Sequence, residues 1–200
     1  MAAFVTKPAP DFSADAYYNG EFKKISLSDY KGKKVVLFFY PLDFTFVCPT
    51  EILGFADRLE EFKARNTEVI GVSVDSKFSH RAWAEVDRKD GGIKGVNFPL
   101  VADIKKVIAS EYGVLLEDAG HSLRGLFIIN KDGILKHVTI NHNDLGRNVD
   151  EVLRMLDALD WSEEHGEVCP LNWQKGQKAM KANADSLKDY VRGTELAGVR

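Results

Sequence analysis

The sequence has only two cysteines in 200 residues, Cys48 and Cys169. Two thiols cannot make the disulfide framework of a small secreted domain, and they are too few for a four-thiolate zinc site. Neither belongs to a Cys-x-x-Cys pair, which argues against a general dithiol oxidoreductase. No stretch approaches the roughly 18 consecutive apolar residues of a membrane span. The N-terminus lacks a charged segment followed by an apolar one, so no secretory signal is read and a cytoplasmic location is expected. Lys and Arg number 27 against 30 Asp and Glu, a net charge of −3 with no basic run, so nucleic acid is not an expected partner. Internal repeats and low-complexity segments are missing as well.

What is present suits a globular chain. The apolar share of 44% is enough for a sizeable core without a disulfide or metal staple. Val35 to Tyr40 is a short β-forming run closed by Pro41, which reads as a strand buried on both faces. Apolar residues at 52, 53, 55, 56, 59 and 62 mark an amphipathic helix running toward Arg65. Glu68 to Val74 reads as a second buried strand, Phe78 to Val86 as a helix, Phe98 to Val101 as a brief strand and Ile104 to Tyr112 as another helix. Leu126–Ile129 and Ile134–Ile140 flank Lys131-Asp132-Gly133, a hairpin signal. Helical spacing returns from Val149 to Leu159. The expected fold class is therefore α/β, a mixed β-sheet flanked by helices. The pattern changes near Trp161, which divides the chain into a domain over residues 1–160 and a C-terminal arm over 161–200 carrying Cys169.

Cys48 lies at the opening of the first amphipathic helix, with Pro49 suited to the first turn. A sulfur there faces free amides and the positive end of the helix dipole, a setting that lowers thiol pKa values from about 8.5 to between roughly 3.5 and 7.5. Position alone also suits a small apolar residue at a helix start. The surrounding residues decide between the two.

The segment Phe39-Tyr40-Pro41-Leu42-Asp43-Phe44-Thr45-Phe46-Val47-Cys48-Pro49-Thr50-Glu51-Ile52 closely resembles the active-site segment of the two-cysteine peroxiredoxins, the group that includes the alkyl hydroperoxide reductase peroxidases and the thiol-specific antioxidant proteins. His165-Gly166-Glu167-Val168-Cys169-Pro170 resembles the resolving-cysteine segment of that family. Leu123-Arg124-Gly125-Leu126-Phe127-Ile128-Ile129 and Gly146-Arg147-Asn148-Val149-Asp150-Glu151 are similar to further blocks of the family, in family order from about Pro8 to Trp173.

The resemblance implies a thioredoxin-like fold in which Pro41, Thr45, Cys48 and Arg124 surround the peroxide. Cys48 as thiolate would attack a peroxide oxygen, leaving sulfenic acid and releasing water or an alcohol. Thr45 would offer a hydroxyl, Arg124 a permanent cation with a planar fork of donors, and Pro41 a shield against water. Glu51 and Arg147 would hold Arg124 in place. The sulfenic acid would be resolved by Cys169 of the partner subunit in an antiparallel homodimer, with rings of five dimers as the family's further assembly. No cofactor and no metal is implied, since both redox equivalents reside on sulfur. Thioredoxin or a flavoprotein disulfide reductase would return the electrons.

The chain also departs from the family's pattern. The family's easily over-oxidised members carry a Gly-Gly-Leu-Gly loop and a C-terminal Tyr-Phe pair, where this chain has Gly91-Gly92-Ile93-Lys94-Gly95 and Tyr190-Val191. Comparative resistance to sulfinic acid formation is expected from that difference. The segment Asn141-His142-Asn143-Asp144-Leu145-Gly146 departs from the expected approach to Arg147. The rival readings are a holdase chaperone, an added activity that Cys48→Ser should spare, and a redox relay, which shares every catalytic residue.

Overall fold

The computed structural model describes residues 3–193, so the last positions of the expected arm, 194–200, lie outside them. The strands are β1 (Ser13–Tyr18), β2 (Glu21–Ser26), β3 (Lys34–Phe39), β4 (Thr67–Ser73), β5 (Leu100–Ala102), β6 (Leu115–Leu116), β7 (His121–Ser122), β8 (Arg124–Ile129) and β9 (Leu135–Asn141). The α-helices are α1 (Cys48–Asp57), α2 (Leu59–Lys63), α3 (Lys77–Glu85), α4 (Val107–Glu111), α5 (Val149–His165) and α6 (Ala184–Gly193). The chain falls into two compact units, one running to Val149 and one starting at Asp150.

In the first unit seven strands form one mixed sheet in the order β2-β1-β5-β4-β3-β8-β9. The apolar run expected as a buried strand is β3, at the centre of that sheet with all six residues buried. It runs parallel to β4 and antiparallel to β8. Alternation sends Val35, Leu37 and Phe39 into one core with Ile70, Val72, Tyr112 and Phe127. On the opposite face Phe38 stacks on Phe55 of α1, ring centroids 4.7 Å apart and planes at 19°. Burying two such rings is worth roughly 1.5–3 kcal/mol apiece, which holds α1 against the end of β3.

Register then gathers the site. Phe38 pairs with Leu126, so Arg124 at the start of the antiparallel β8 comes level with Tyr40 just beyond β3. Arg124 itself pairs with Asn141, so the 142–148 connection leaves from the same end of the sheet. Gly125 is required there, because a Cβ would meet Val114 Cγ1 at 2.6 Å.

Three elements differ from the periodicity. The helix expected to run from Ile52 toward Arg65 breaks at Arg58, whose amide bonds Ala56 O instead of the carbonyl four residues back. The helix expected from Ile104 starts at Val107, because the Asp103 carboxylate accepts from the amides of Ile108 (3.1 Å) and Ala109 (2.7 Å) while Lys106 turns left-handed, φ 59°. The β1–β2 hairpin is an addition. It turns on Asn19-Gly20 with φ values of 49° and 83°, the positive angles that a tight hairpin turn demands.

In the second unit α5 continues to His165 and stops at Gly166 (φ 64°), whose amide donates to Ser162 O. The segment expected as an arm has a small core of its own. Ala158, Trp173 and Ala179 are buried together, with Trp161 and Cys169 packed against them. Among the described residues no helix is long and apolar enough to cross a membrane.

Candidate active site

Cys48 is the first residue of α1, fully buried, with a free thiol. Pro49 follows in the first turn, where its missing N–H costs nothing. The amides of Thr50 and Glu51 and the Thr50 hydroxyl all donate to Val47 O, which closes that turn. From β8 the Arg124 Nη1 donates to Cys48 Sγ at 3.4 Å and to Glu51 Oε2 at 2.7 Å. Arg124 Nε donates to Asn143 O at 2.7 Å.

Arg147 completes the cluster. It donates to Glu51 Oε1 through Nε (2.8 Å) and through its own amide (2.9 Å), and to Glu51 Oε2 through Nη2 (2.8 Å). Its Nη1 donates to Phe39 O and Gly125 O at 2.7 and 2.8 Å, and its guanidinium carbon lies 5.0 Å from the centre of the Phe38 ring. The side chains of Arg124, Arg147 and Glu51 are at most 4% exposed. Burial pulls the Arg147 guanidinium below its ordinary range, and the Glu51 carboxylate offsets that pull. Two guanidinium cations and one carboxylate leave one positive charge uncompensated, and that charge faces the Cys48 sulfur.

The structure thus brings Cys48, Arg124, Glu51 and Arg147 into direct contact. The unusual 141–146 segment still delivers Arg147, and it contributes a carbonyl, Asn143 O, to Arg124. Pro41 is buried at the start of the loop between β3 and α1. Thr45 lies on the same loop, and its hydroxyl donates to Leu42 O at 2.8 Å. Cys169 belongs to the second unit, half-buried, its thiol donating to Ala158 O at 3.5 Å. Burial pushes that thiol up, Arg154 pulls it down and Glu167 adds to the rise.

Behind the loop is a polar network that the motif does not reveal. Tyr40 Oη donates to Asp43 Oδ1 (2.9 Å), and His80 Nδ1 lies 2.8 Å from Asp43 Oδ2, all buried. The Asp43 amide donates to Asp75 Oδ2, which also accepts from Ser73 Oγ. Burial raises the Tyr40 hydroxyl well above its ordinary range and also raises Asp75, with Asp43 adding to both. Asp43 is fixed from three sides, and with it the loop that carries Thr45. Its place between Pro41 and Cys48 is the signal the sequence offers for it. His80 is a lone histidine on an amphipathic helix and offers none. Among the described residues no group of three or more His, Cys, Asp and Glu side chains is gathered as metal ligands.

Comparison with known proteins finds matches along nearly the whole chain. Residues 5–138 match the AhpC/TSA family, and residues 158–193 match the C-terminal domain of 1-Cys peroxiredoxin, a segment that here carries Cys169. The chain is 56% identical to Peroxiredoxin-2 of Bos taurus over 188 residues, 94% of each protein. It is 53% identical over 191 residues to a thioredoxin peroxidase of Echinococcus granulosus, covering 96% of this chain and 99% of that one. Among solved structures it resembles the reduced 2-Cys peroxiredoxin of Plasmodium vivax, with a TM-score of 0.92 and 43% identity over 95% of this chain and 99% of that chain. The mixed sheet flanked by helices is accordingly the thioredoxin-like fold that the motifs implied.

Proposed function

The chain belongs to the AhpC/TSA family of peroxiredoxins, and from that premise we propose that it reduces hydrogen peroxide and organic hydroperoxides with Cys48 as nucleophile and Cys169 of the partner subunit as resolving thiol. Thiol-dependent peroxidase chemistry with an antioxidant role is the family's activity. The observation that carries the assignment to Cys48 is the Arg124 guanidinium 3.4 Å from its sulfur, within a cluster whose charges balance once that sulfur is a thiolate.

The first step needs an anion, a held peroxide and a stabilised leaving oxygen. Cys48 supplies the thiolate at the N-terminus of α1, where the helix dipole favours negative charge. The S–O bond forms as the O–O bond breaks, and the leaving oxygen departs as water or an alcohol. Arg124 shares its donors between the sulfur and the oxygens, which supports the charge that moves from one to the other. Thr45 gives its proton to Leu42 O, so its lone pairs are available to accept from the peroxide hydroxyl. Pro41 presents no donor to compete for the thiolate. Glu51 and Arg147 fix Arg124 from behind.

The second step is a disulfide, which requires Cα atoms within about 7 Å. Cys48 is buried inside a helical turn, so the turn before Glu51 unwinds for the sulfurs to meet. A thioredoxin-type dithiol or a flavoprotein disulfide reductase then restores the thiols. Assembly as a homodimer, and as a ring of five dimers, belongs to the same proposal. So does a cytoplasmic location, a reducing compartment that would keep the two free thiols available between turnovers.

Non-reducing electrophoresis after one equivalent of hydrogen peroxide tests the cycle. A band at dimer mass is expected for wild type, absent in Cys48→Ser and Cys169→Ser and reversed by thioredoxin. Thiol loss with the band still at monomer mass would withdraw the role of Cys169 and keep that of Cys48.

A further inference from the structure

We propose that Arg154 is a positioning residue for the resolving step: it ties the Cys169–Trp173 segment to α5 and sets a cation on the face that carries the Cys169 thiol. The inference rests on the reading of Cys169 as the resolving cysteine.

The geometry lies within the second unit. Arg154 and Ala158 are one helical turn apart on one face of α5. Arg154 Nη1 donates to Trp173 O at 2.9 Å, and the Cys169 thiol donates to Ala158 O at 3.5 Å. Both ends of the Cys169–Trp173 segment are therefore anchored to α5 four residues apart. The fork of Arg154 is itself aimed, because Nε and Nη2 donate to the two carboxylate oxygens of Glu151 at 2.6 and 2.7 Å. Such a bidentate pair fixes a guanidinium far better than a single contact does.

Two charged groups act on the sulfur, Arg154 from α5 and Glu167 from its own segment. Glu167 is drawn toward Trp161, whose Nε1 donates to Glu167 Oε2 at 3.0 Å, while His165 stacks on the Trp161 ring at 3.8 Å. Arg154 is the only cation among these groups whose charge does not vary with pH, since guanidinium keeps its proton. It opposes burial and Glu167, both of which favour the neutral thiol.

In the resolving step the Cys169 thiolate attacks the sulfenic sulfur of Cys48. The S–S bond forms as the S–O bond breaks, and hydroxide leaves and takes a proton to become water, so no further oxidant is needed. Its rate follows the thiolate fraction. Each pH unit by which a thiol pKa rises removes about tenfold of the thiolate at neutral pH and restores about threefold in nucleophilicity, a net loss of about threefold.

Rapid-quench formation of the Cys48–Cys169 disulfide after one equivalent of hydrogen peroxide, from about pH 6 to 9 to span thiol titration, is the test. Arg154→Gln is expected to close the disulfide more slowly at neutral pH, by about threefold for each pH unit by which its midpoint moves upward. Peroxide consumption at Cys48 is expected to stay at the wild-type rate. Arg154→Lys, which keeps the charge but loses the fork that holds Glu151 and Trp173 O, is expected to restore the midpoint while closing the disulfide more slowly than wild type, and it keeps the test valid if the Gln variant folds poorly. Wild-type rate and midpoint in Arg154→Gln, or a midpoint in Arg154→Lys as displaced as in the Gln variant, would overturn the proposal. A wild type that consumes peroxide and forms no disulfide would instead bring down the resolving role of Cys169, and this inference with it.

Discussion

At Glu51 one carboxylate serves two buried guanidinium groups, accepting from Arg124 and from the side chain and amide of Arg147. Glu51→Gln removes the negative charge and keeps the shape, leaving two buried cations facing each other. Breaking such a pair costs about 3–5 kcal/mol, so a large fall in the urea midpoint is expected. Peroxide reactivity of Cys48 should fall with it, because Arg124 loses its anchor; unchanged midpoint and rate would refute the cluster's role. Arg147→Lys isolates a different quantity. Its guanidinium also caps the carbonyls of Phe39 and Gly125, and an ammonium cannot reach all four acceptors. Orphaned buried carbonyls cost about 1–3 kcal/mol each, so for the two we expect about 2–6 kcal/mol in chemical denaturation. The partners in this cluster were readable in the sequence because each stands in a motif. Asn143 was not, since it contributes a backbone carbonyl, which any residue type supplies. Tyr40, Asp43 and His80 meet only through tertiary packing, and no spacing rule joins a residue at the end of a strand to one 40 positions later.

Between residue and fold stands the first turn of α1. Val47 offers no side-chain cap, and the turn is closed by three bonds to a single carbonyl, Val47 O. Its C-terminal side is pinned at Glu51 by two arginines. The unwinding that the proposed disulfide requires would therefore be confined to Cys48–Thr50, a short and weakly capped stretch. With Gly91-Gly92-Ile93-Lys94-Gly95 in place of the loop seen in easily over-oxidised relatives, disulfide formation should outrun further oxidation. Intact-mass spectra over graded peroxide should show the disulfide long before any gain of two oxygens on Cys48. An early gain at low peroxide would count against this. Elements of this kind were legible where periodicity was strong, as in β3, β4 and the β8–β9 hairpin. The β1–β2 hairpin carried its signal in Asn19-Gly20 but has a mixed apolar pattern, since β2 buries a single residue. The start of α4 was set by a carboxylate outside the helix, which apolar spacing does not register.

For the whole molecule the open question is what covers its apolar surface. Within one chain Phe44, Phe78 and Ile104 are 56%, 64% and 59% exposed, and Phe44 holds a left-handed backbone (φ 55°). Strand β9 ends the sheet order: Leu135 at its start exchanges backbone hydrogen bonds with Thr6 and Lys7, and past it the outer edge has no strand beside it among the described residues. Apolar exposure and a strand edge open beyond Leu135, both on one unit, are what assembly into dimers and rings would cover. Sedimentation of the reduced protein should give ten times the chain mass of 22.4 kDa. Phe78→Asp sets a charge on a side chain already largely exposed and gives up its edge-on contact with the Phe22 ring, so chain stability should fall by no more than about 1.5 kcal/mol. It should nonetheless break the ring, because a charge buried between copies without a partner is costly. Retention of dimers in that variant would assign Phe78 to contacts between dimers and leave β9 for the contact within them. Loss of both forms would place Phe78 inside the dimer contact. A wild type sedimenting as a monomer would remove the partner subunit on which resolution by Cys169 depends, and with it the intersubunit cycle.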